Sequence, residues 1–142
     1  MKQLRSTTEK EERLTMSEVL TRSKERISKL GEVFTPTELV DEMLDELPSE
    51  MWEDGKTFLD PTCGNGQFLV RILERKIALN HKETLSTIYG ADIMQDNVDE
   101  CKGRLLALAG DTKANRKILE TNIVCEDGLT YDYSFGTGLF EW

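Results

Sequence analysis

The stretch Phe58-Leu59-Asp60-Pro61-Thr62-Cys63-Gly64-Asn65-Gly66-Gln67-Phe68-Leu69 constrains the fold most, because an apolar run stops at an acid, turns through two glycines and restarts with helical spacing. That order reads as strand, tight loop, helix. Without Cβ atoms, Gly64 and Gly66 can take positive φ and let the backbone approach a ligand, while the N–H groups opening the helix point into the same space. Such a loop can cradle a nucleoside-sized ligand. Glycines at that junction also serve ordinary turns, so the loop alone leaves a binding site and a structural turn both open.

Around the loop, helical and extended patterns alternate. Residues 1–13 are polar and predict an arm, whereas Thr15 with Glu18 forms a capping-box pattern and Met16, Val19, Leu20, Ile27 and Leu30 share one face of an amphipathic helix ending near Gly31. Thr35 as N-cap, Pro36 at the first helical position and Glu38 reaching back predict a second helix. Its inward residues are Leu39, Val40, Met43, Leu44 and Leu47, and Pro48 stands near its stop. Residues 49–56 read as a polar turn around Asp54-Gly55, Thr57–Leu59 as a first strand, and Gln67 to about His81 as a helix. A second strand, Thr87–Ala91, delivers Asp92 at its carboxyl end, at a distance from Gly66 longer than the usual ~20-residue interval. Asp96 is expected to cap a helix that buries Val98, Cys101, Leu105 and Leu108 and ends near Gly110. The third strand, Asn122–Cys125, leads into Glu126-Asp127-Gly128-Leu129. Residues 1–30 are thus a basic arm and helix, and 31–142 a single α/β domain.

If the connections are right-handed parallel crossovers, Asp60, Asp92 and Asp127 reach one rim of the sheet, where open α/β sheets hold ligands. Each acid alone reads as well as a cap or a loop residue. Together, beside a glycine loop, they point to a site. Three carboxylates repel a phosphate and suit a ligand rich in hydroxyls and amines that carries positive charge. This excludes nucleoside triphosphates and fits S-adenosylmethionine, with its ribose, amino group and sulfonium.

Charge limits the partners. Residues 1–31 carry eight Lys or Arg against five Glu, and the remainder ten against twenty-two acids, for a net charge of −9. Most of the surface repels nucleic acid, so any DNA contact falls to the basic N-terminal arm, to a local patch or to another subunit. Cys63, Cys101 and Cys125 are odd in number and widely spaced, and His81 is the sole histidine, so neither a disulfide framework nor a metal site is expected. No apolar run approaches the ~20 residues of a membrane span, and Met1-Lys2-Gln3-Leu4-Arg5 opens no signal-peptide core. A soluble, cytoplasmic protein that meets no membrane is the expectation.

Four stretches resemble, in order, motifs of the S-adenosylmethionine-dependent DNA adenine-N6 methyltransferases. Gly31-Glu32-Val33-Phe34-Thr35-Pro36 looks like the N-terminal cofactor motif, and Asp60 to Leu69 resembles Asp-Pro-Ala-Cys-Gly-x-Gly-x-Phe-Leu with Thr62 in place of alanine. Tyr89-Gly90-Ala91-Asp92-Ile93 looks like the ribose-binding strand end, and Cys125-Glu126-Asp127-Gly128-Leu129 is similar to the adenine-side acid motif. The resemblance spans about residues 31–130 and implies a Rossmann-like methyltransferase fold. It implies that Phe34, Thr35 and Pro36, with Asp60, Thr62, Gly64, Asn65 and Gly66, surround the methionine end of the cofactor. Asp92 would then bind the ribose, Ile93 pack on the adenine, and Asp127 with Gly128 take the adenine amine, Glu126 remaining the alternative acid.

The family continues with a strand that ends in Asn or Asp, then Pro-Pro and an aromatic residue, which grip the flipped adenine. Pro36, Pro48 and Pro61 are the three prolines of this sequence and no such motif occurs in it, so no catalytic residue is assigned. In the family the first strand lies between the second and a fourth; here it would be an edge of a partial sheet. An apolar edge needs a cover, from the N-terminal helix, from residues 131–142, from a second copy or from another chain. Tyr131, Tyr133, Phe135, Leu139, Phe140 and Trp142 suit either the chain's own core or a partner. The resemblance therefore implies the cofactor-binding part of an adenine-N6 methyltransferase, working as an oligomer or with a partner chain. A non-catalytic interaction or regulatory protein of a restriction-modification system, and a protein that consumes S-adenosylmethionine without DNA, stay open beside it.

Overall fold

A computed structural model describes residues 35–132; Phe34, the helix expected over residues 15–31 and the aromatic tail after Asp132 lie outside the described residues. Three strands, β1 (Phe58–Asp60), β2 (Ile88–Asp92) and β3 (Ile123–Cys125), form a parallel sheet in the order β1-β2-β3. Phe58 lies opposite Ile88, Asp60 opposite Gly90 and Asp92 opposite Cys125. Pairing continues past the strand ends, where the Cys63 N–H donates to the Ala91 carbonyl at 2.8 Å and the Glu126 N–H to the Asp92 carbonyl at 3.0 Å. This is the partial Rossmann-like α/β fold that the motif order implies. Among the described residues β1 has β2 as its sole strand neighbour, so it stands at an edge as expected.

Four helices, α1 (Thr37–Asp45), α2 (Gln67–Ala78), α3 (Gln95–Ala109) and α4 (Lys113–Asn122), accompany the sheet. Strand side chains alternate between faces. Phe58, Ile88 and Ile123 join Leu44, Leu69, Leu73, Leu105 and Leu119 from the helices in one continuous core. The opposite face carries a smaller cluster of Leu59 and Ala91, with Tyr89, Val124 and Tyr131 against it. β2 can lie this close under α2 because Gly90 is bare: a Cβ there would stand 2.8 Å from Leu69 Cδ1 and 3.1 Å from Cys63 Cβ. The glycine loop is thereby seated directly on the sheet.

Several local expectations need correction. Pro36, not Thr35, is the N-cap of α1, no side chain caps that helix, and Glu38 lies in its first turn without reaching back. The residue before a proline is held extended, and Thr35 uses its carbonyl to accept a bond from Gln67 instead. Nor is Asp96 the N-cap of α3: that position is Met94, Asp96 lies in the first turn and accepts the Asn97 N–H at 2.9 Å, and the Asp92 carboxylate accepts the Met94 N–H at 2.9 Å. Leu106 is 8% exposed and Leu108 38%, so the buried stripe Val98, Cys101, Leu105 turns toward α4 at its end. α2 stops at Ala78, three residues before His81. There Asn80 adopts φ 60, while the Asn80 and His81 N–H groups bond back to the Ile77 and Lys76 carbonyls, a Schellman closure. The polar turn includes a 3-10 turn at Ser49–Trp52.

α4 escaped the sequence reading altogether. Only Leu119 and Asn122 are buried along it, too few for a periodic stripe. Its one local signal is Thr112, whose hydroxyl accepts the Asn115 N–H at 3.0 Å as an N-cap.

At the amino end of the sheet every buried charge has a partner. Arg71 bonds Asp41 at 2.9 Å and Arg75 bonds Asp45 at 2.9 Å, tying α2 to α1. Bonding to Arg71 holds the Asp41 carboxyl below the usual carboxylate range. Lys76 is fully buried, yet its Nζ donates to the Lys56 carbonyl at 2.6 Å and lies 4.9 Å from the Phe58 ring centroid.

Candidate functional site

β1 and β2 end on an aspartate, β3 is followed by one two residues past its end, and each aspartate closes its own turn. Asp60 accepts the Thr62 N–H at 3.0 Å, Asp92 the Met94 N–H at 2.9 Å, and Asp127 the Leu129 N–H at 2.9 Å. An Asx turn at the same offset in all three explains why an acid follows every strand. The three do not stand abreast. Asp60 is level with Gly90, two residues or roughly 7 Å short of Asp92, and Asp127 lies two residues beyond Cys125, the partner of Asp92. They form a staircase from buried Asp60 through half-buried Asp92 to exposed Asp127.

Asp92 reaches the glycine loop. Its second oxygen accepts the Gly64 N–H at 2.9 Å, and Asn97 Nδ2 approaches the first at 3.4 Å. The glycine loop is held in the backbone state anticipated for it, with Gly64 at φ 54 and Gly66 at φ 100. At Gly66 a Cβ would also meet Cys101 Sγ at 2.9 Å, so α3 packs against the loop where no side chain fits. Asn65 is gripped from α3 twice: Glu100 accepts from its side-chain amide, and Arg104 Nη1 donates to its carbonyl at 3.3 Å.

The loop and the segment before α1 share an unusual property. Thr35 is fully buried and Asn65 and Thr62 are largely covered, yet Thr35 Oγ1, Thr62 Oγ1 and Asn65 Oδ1 have no hydrogen-bond partner. An unsatisfied buried polar group costs about 1–3 kcal/mol, and nearly all such groups in folded proteins are bonded. Three such atoms lie on two segments joined by the Gln67 to Thr35 bond, each with a lone pair open to a donor. Another such atom, His81 Nδ1, lies at the far end of α2 and belongs to no cluster. Two hydroxyls and an amide oxygen fit an ammonium or hydroxyl group.

Beyond the polar rim stand exposed apolar side chains. Ile93 is 71% and Leu129 94% exposed, and each follows a strand-end acid by one or two residues. Such surfaces suit the face of a flat ring. Of the residues expected at a site, hydrogen bonds bring together Thr35, Asn65, Gly64 and Asp92, and the turn of Asp60 carries Thr62 beside them. The segment of Asp127 and Gly128 is tied to that of Asp92 by the backbone bond from the Glu126 N–H to the Asp92 carbonyl, Pro36 is exposed as a helix cap, and Phe34 lies outside the described residues. Gln67, Glu100 and Arg104 were not anticipated. Only Gln67 had a signal, as a polar residue inside the glycine motif; the other two lie in α3 and meet the loop solely through the fold.

A separate groove of about 470 Å³ runs between α3 and α4, lined among others by Lys102, Leu106, Arg116 and Glu120. Thr35, Thr62, Gly64, Asn65 and Asp92 do not line it, and Arg116 is bound there to Asp111. No cluster of metal-ligating side chains and no helix long and apolar enough to cross a membrane occurs among the described residues.

Comparison with known proteins shows the family of the chain. The chain is 32% identical over 106 residues to the Type II methyltransferase M.VspI of Vibrio sp. (strain 343), a match that covers 75% of this chain and 22% of that protein. The chain thus spans about a fifth of the length of this relative. No solved structure matches it. The sequence model of the N-6 DNA methylases matches residues 17–135, which includes all three strands, the glycine loop and the three strand-end acids, and the chain belongs to that family.

Proposed function

We propose that this chain holds S-adenosylmethionine for a DNA adenine-N6 methyltransferase and relies on another chain for the target adenine and the DNA. The observation that carries this reading is the group of buried, unbonded acceptors, Thr35 Oγ1, Thr62 Oγ1 and Asn65 Oδ1, beside the Asp92 carboxylate. Those acceptors take the hydrogens of the amino-acid ammonium. Asp92 Oδ2 carries only the Gly64 bond, so it accepts a ribose hydroxyl without giving up an existing contact. Ile93 offers its exposed side chain to the adenine ring, and Asp127, with one oxygen in its turn, keeps the other for the adenine amine. Bound, the cofactor supplies a methyl group on a sulfonium. What the chain contributes to transfer is positioning, which can account for much of the rate of a displacement between two held groups. It has no Asn/Asp-Pro-Pro-aromatic motif to orient the adenine, and the edge strand β1 is where a partner's strand or a second copy would add.

Calorimetric titration of the full chain with S-adenosylmethionine, beside Asp92→Asn, tests the proposal. Binding by the wild type, weakened at least about tenfold in a variant with the same melting temperature, is the expected result. A folded wild type that takes up no cofactor would sink it and favour a non-catalytic interaction protein, the reading to which the missing adenine motif and the acidic surface lend weight.

A further inference from the structure

α3 reaches across the glycine loop to the segment before α1 through two hydrogen bonds in series, with a further bond from the same helix face to the loop. Glu100 and Arg104 are four residues apart and therefore share one face of the helix. Glu100 takes the Asn65 amide, while Arg104 Nη1 donates to Gln67 Oε1 at 2.7 Å. The other end of the same Gln67 amide, Nε2, donates to the Thr35 carbonyl at 2.8 Å. The primary amide suits both partners, because the guanidinium demands an acceptor at one end and the carbonyl a donor at the other. The partners on both sides thus fix the orientation of the Gln67 side chain.

We infer that Gln67 and Arg104 are positioning residues that hold the Thr35 backbone against the glycine loop and so set affinity for the amino-acid end of the ligand. The inference rests on the cofactor reading above. Neither side chain needs to touch the ligand. The stability of α1 does not depend on this link, since Asp41 and Asp45 are bound by Arg71 and Arg75 one and two turns further along α2. Loss of the Gln67 contact therefore leaves α1 docked and frees only its leading segment, where the fully buried Thr35 hydroxyl sits. The ribose end is held separately, by the Asp92 to Gly64 bond.

The test is Gln67→Glu in the full chain, titrated with S-adenosylmethionine and, separately, with adenosine, which lacks the amino-acid end. The carboxylate keeps the Arg104 contact and turns an oxygen toward the Thr35 carbonyl, where a donor stood. Affinity for S-adenosylmethionine should fall about tenfold while that for adenosine is unchanged, which also shows that the variant is folded. Arg104→Met should act in the same direction, and Arg104→Lys, which can still donate to Gln67, should restore most of the loss. Equal losses for both ligands, or no loss for either, would overturn the inference. Hydrogen exchange of the ligand-free chain gives a second readout that does not depend on the cofactor. In Gln67→Glu the Val40 N–H, bonded to the Pro36 carbonyl at 3.1 Å, should exchange faster while the last turn of α1 keeps its rate. Unchanged exchange at Val40 overturns the inference even if the wild type binds neither ligand, an outcome that would by itself remove the cofactor reading.

Discussion

The two ends of the parallel sheet treat buried polar groups in opposite ways. At the amino end even a buried lysine is satisfied: Lys76 has the Lys56 carbonyl and the Phe58 ring, and Arg75 lies 5.4 Å over Trp52, whose ring is 5.2 Å from Phe58. At the carboxyl end Thr35, Thr62 and Asn65 keep acceptors buried and unbonded. Among the described residues the amino end leaves a single such atom, His81 Nδ1, while the carboxyl end gathers three on two touching segments. The closed end serves stability, and the open end gives stability up for something that arrives later.

Breaking the closed end should have the largest effect. Phe58→Ala removes a fully buried ring and with it a wall around Lys76 and Trp52. Denaturant unfolding should show a loss of about 3–5 kcal/mol, with the cofactor affinity of the folded fraction intact. A smaller effect should come from pH. Burial pushes the Lys76 ammonium down to about 8 from an ordinary 10.5, against a weaker opposing pull from Asp54. Between those values the unfolded chain still holds a proton that the folded chain has released. Stability should therefore rise with pH across that window, by on the order of 3 kcal/mol as an upper limit, and stay level with respect to this group below it. Unfolding free energies measured at pH 7.5 and 10 should show that rise relative to Lys76→Met; a fall relative to the variant would contradict it. Burial raises the Tyr89 and Tyr131 hydroxyls, an effect of opposite sign that sets in as the pH passes their ordinary value of 10.0.

The smallest effect sharpens the contrast most, because its sign is reversed. Thr35→Val replaces an unbonded buried hydroxyl by a methyl of the same shape. It should stabilise the folded chain by about 1 kcal/mol in urea unfolding and at the same time weaken S-adenosylmethionine. A destabilised variant would mean that the carboxyl end is not an open end at all.

How far the sequence disclosed this arrangement depended on the range of each interaction. Strand, acid and glycine loop were legible because Asp60, Asp92 and Asp127 each bond within two residues of themselves, and φ at Gly64 and Gly66 is a local matter. The role of Thr35 was misread. A helix-start pattern put it at a cap, whereas its carbonyl is claimed by a residue 32 positions away. The grip of Glu100 and Arg104 on the loop spans 35 to 39 positions and left no local trace. Periodicity failed for α4, a helix that buries too little to show a stripe.

The bond between Gly64 and Asp92 joins residues 28 apart and acts as a pair of bookends. Whatever chain runs between them, here a helix, a Schellman closure and a 3-10 turn, returns to the same contact. Closing a loop grows dearer only slowly with its length, by about 0.6 kcal/mol per doubling. Residues can therefore be inserted or lost between the bookends without disturbing the glycine loop or the acid, which accounts for an interval longer than the usual one. For a lineage of such proteins, the distance between the two motifs is free to drift while their meeting in space is not.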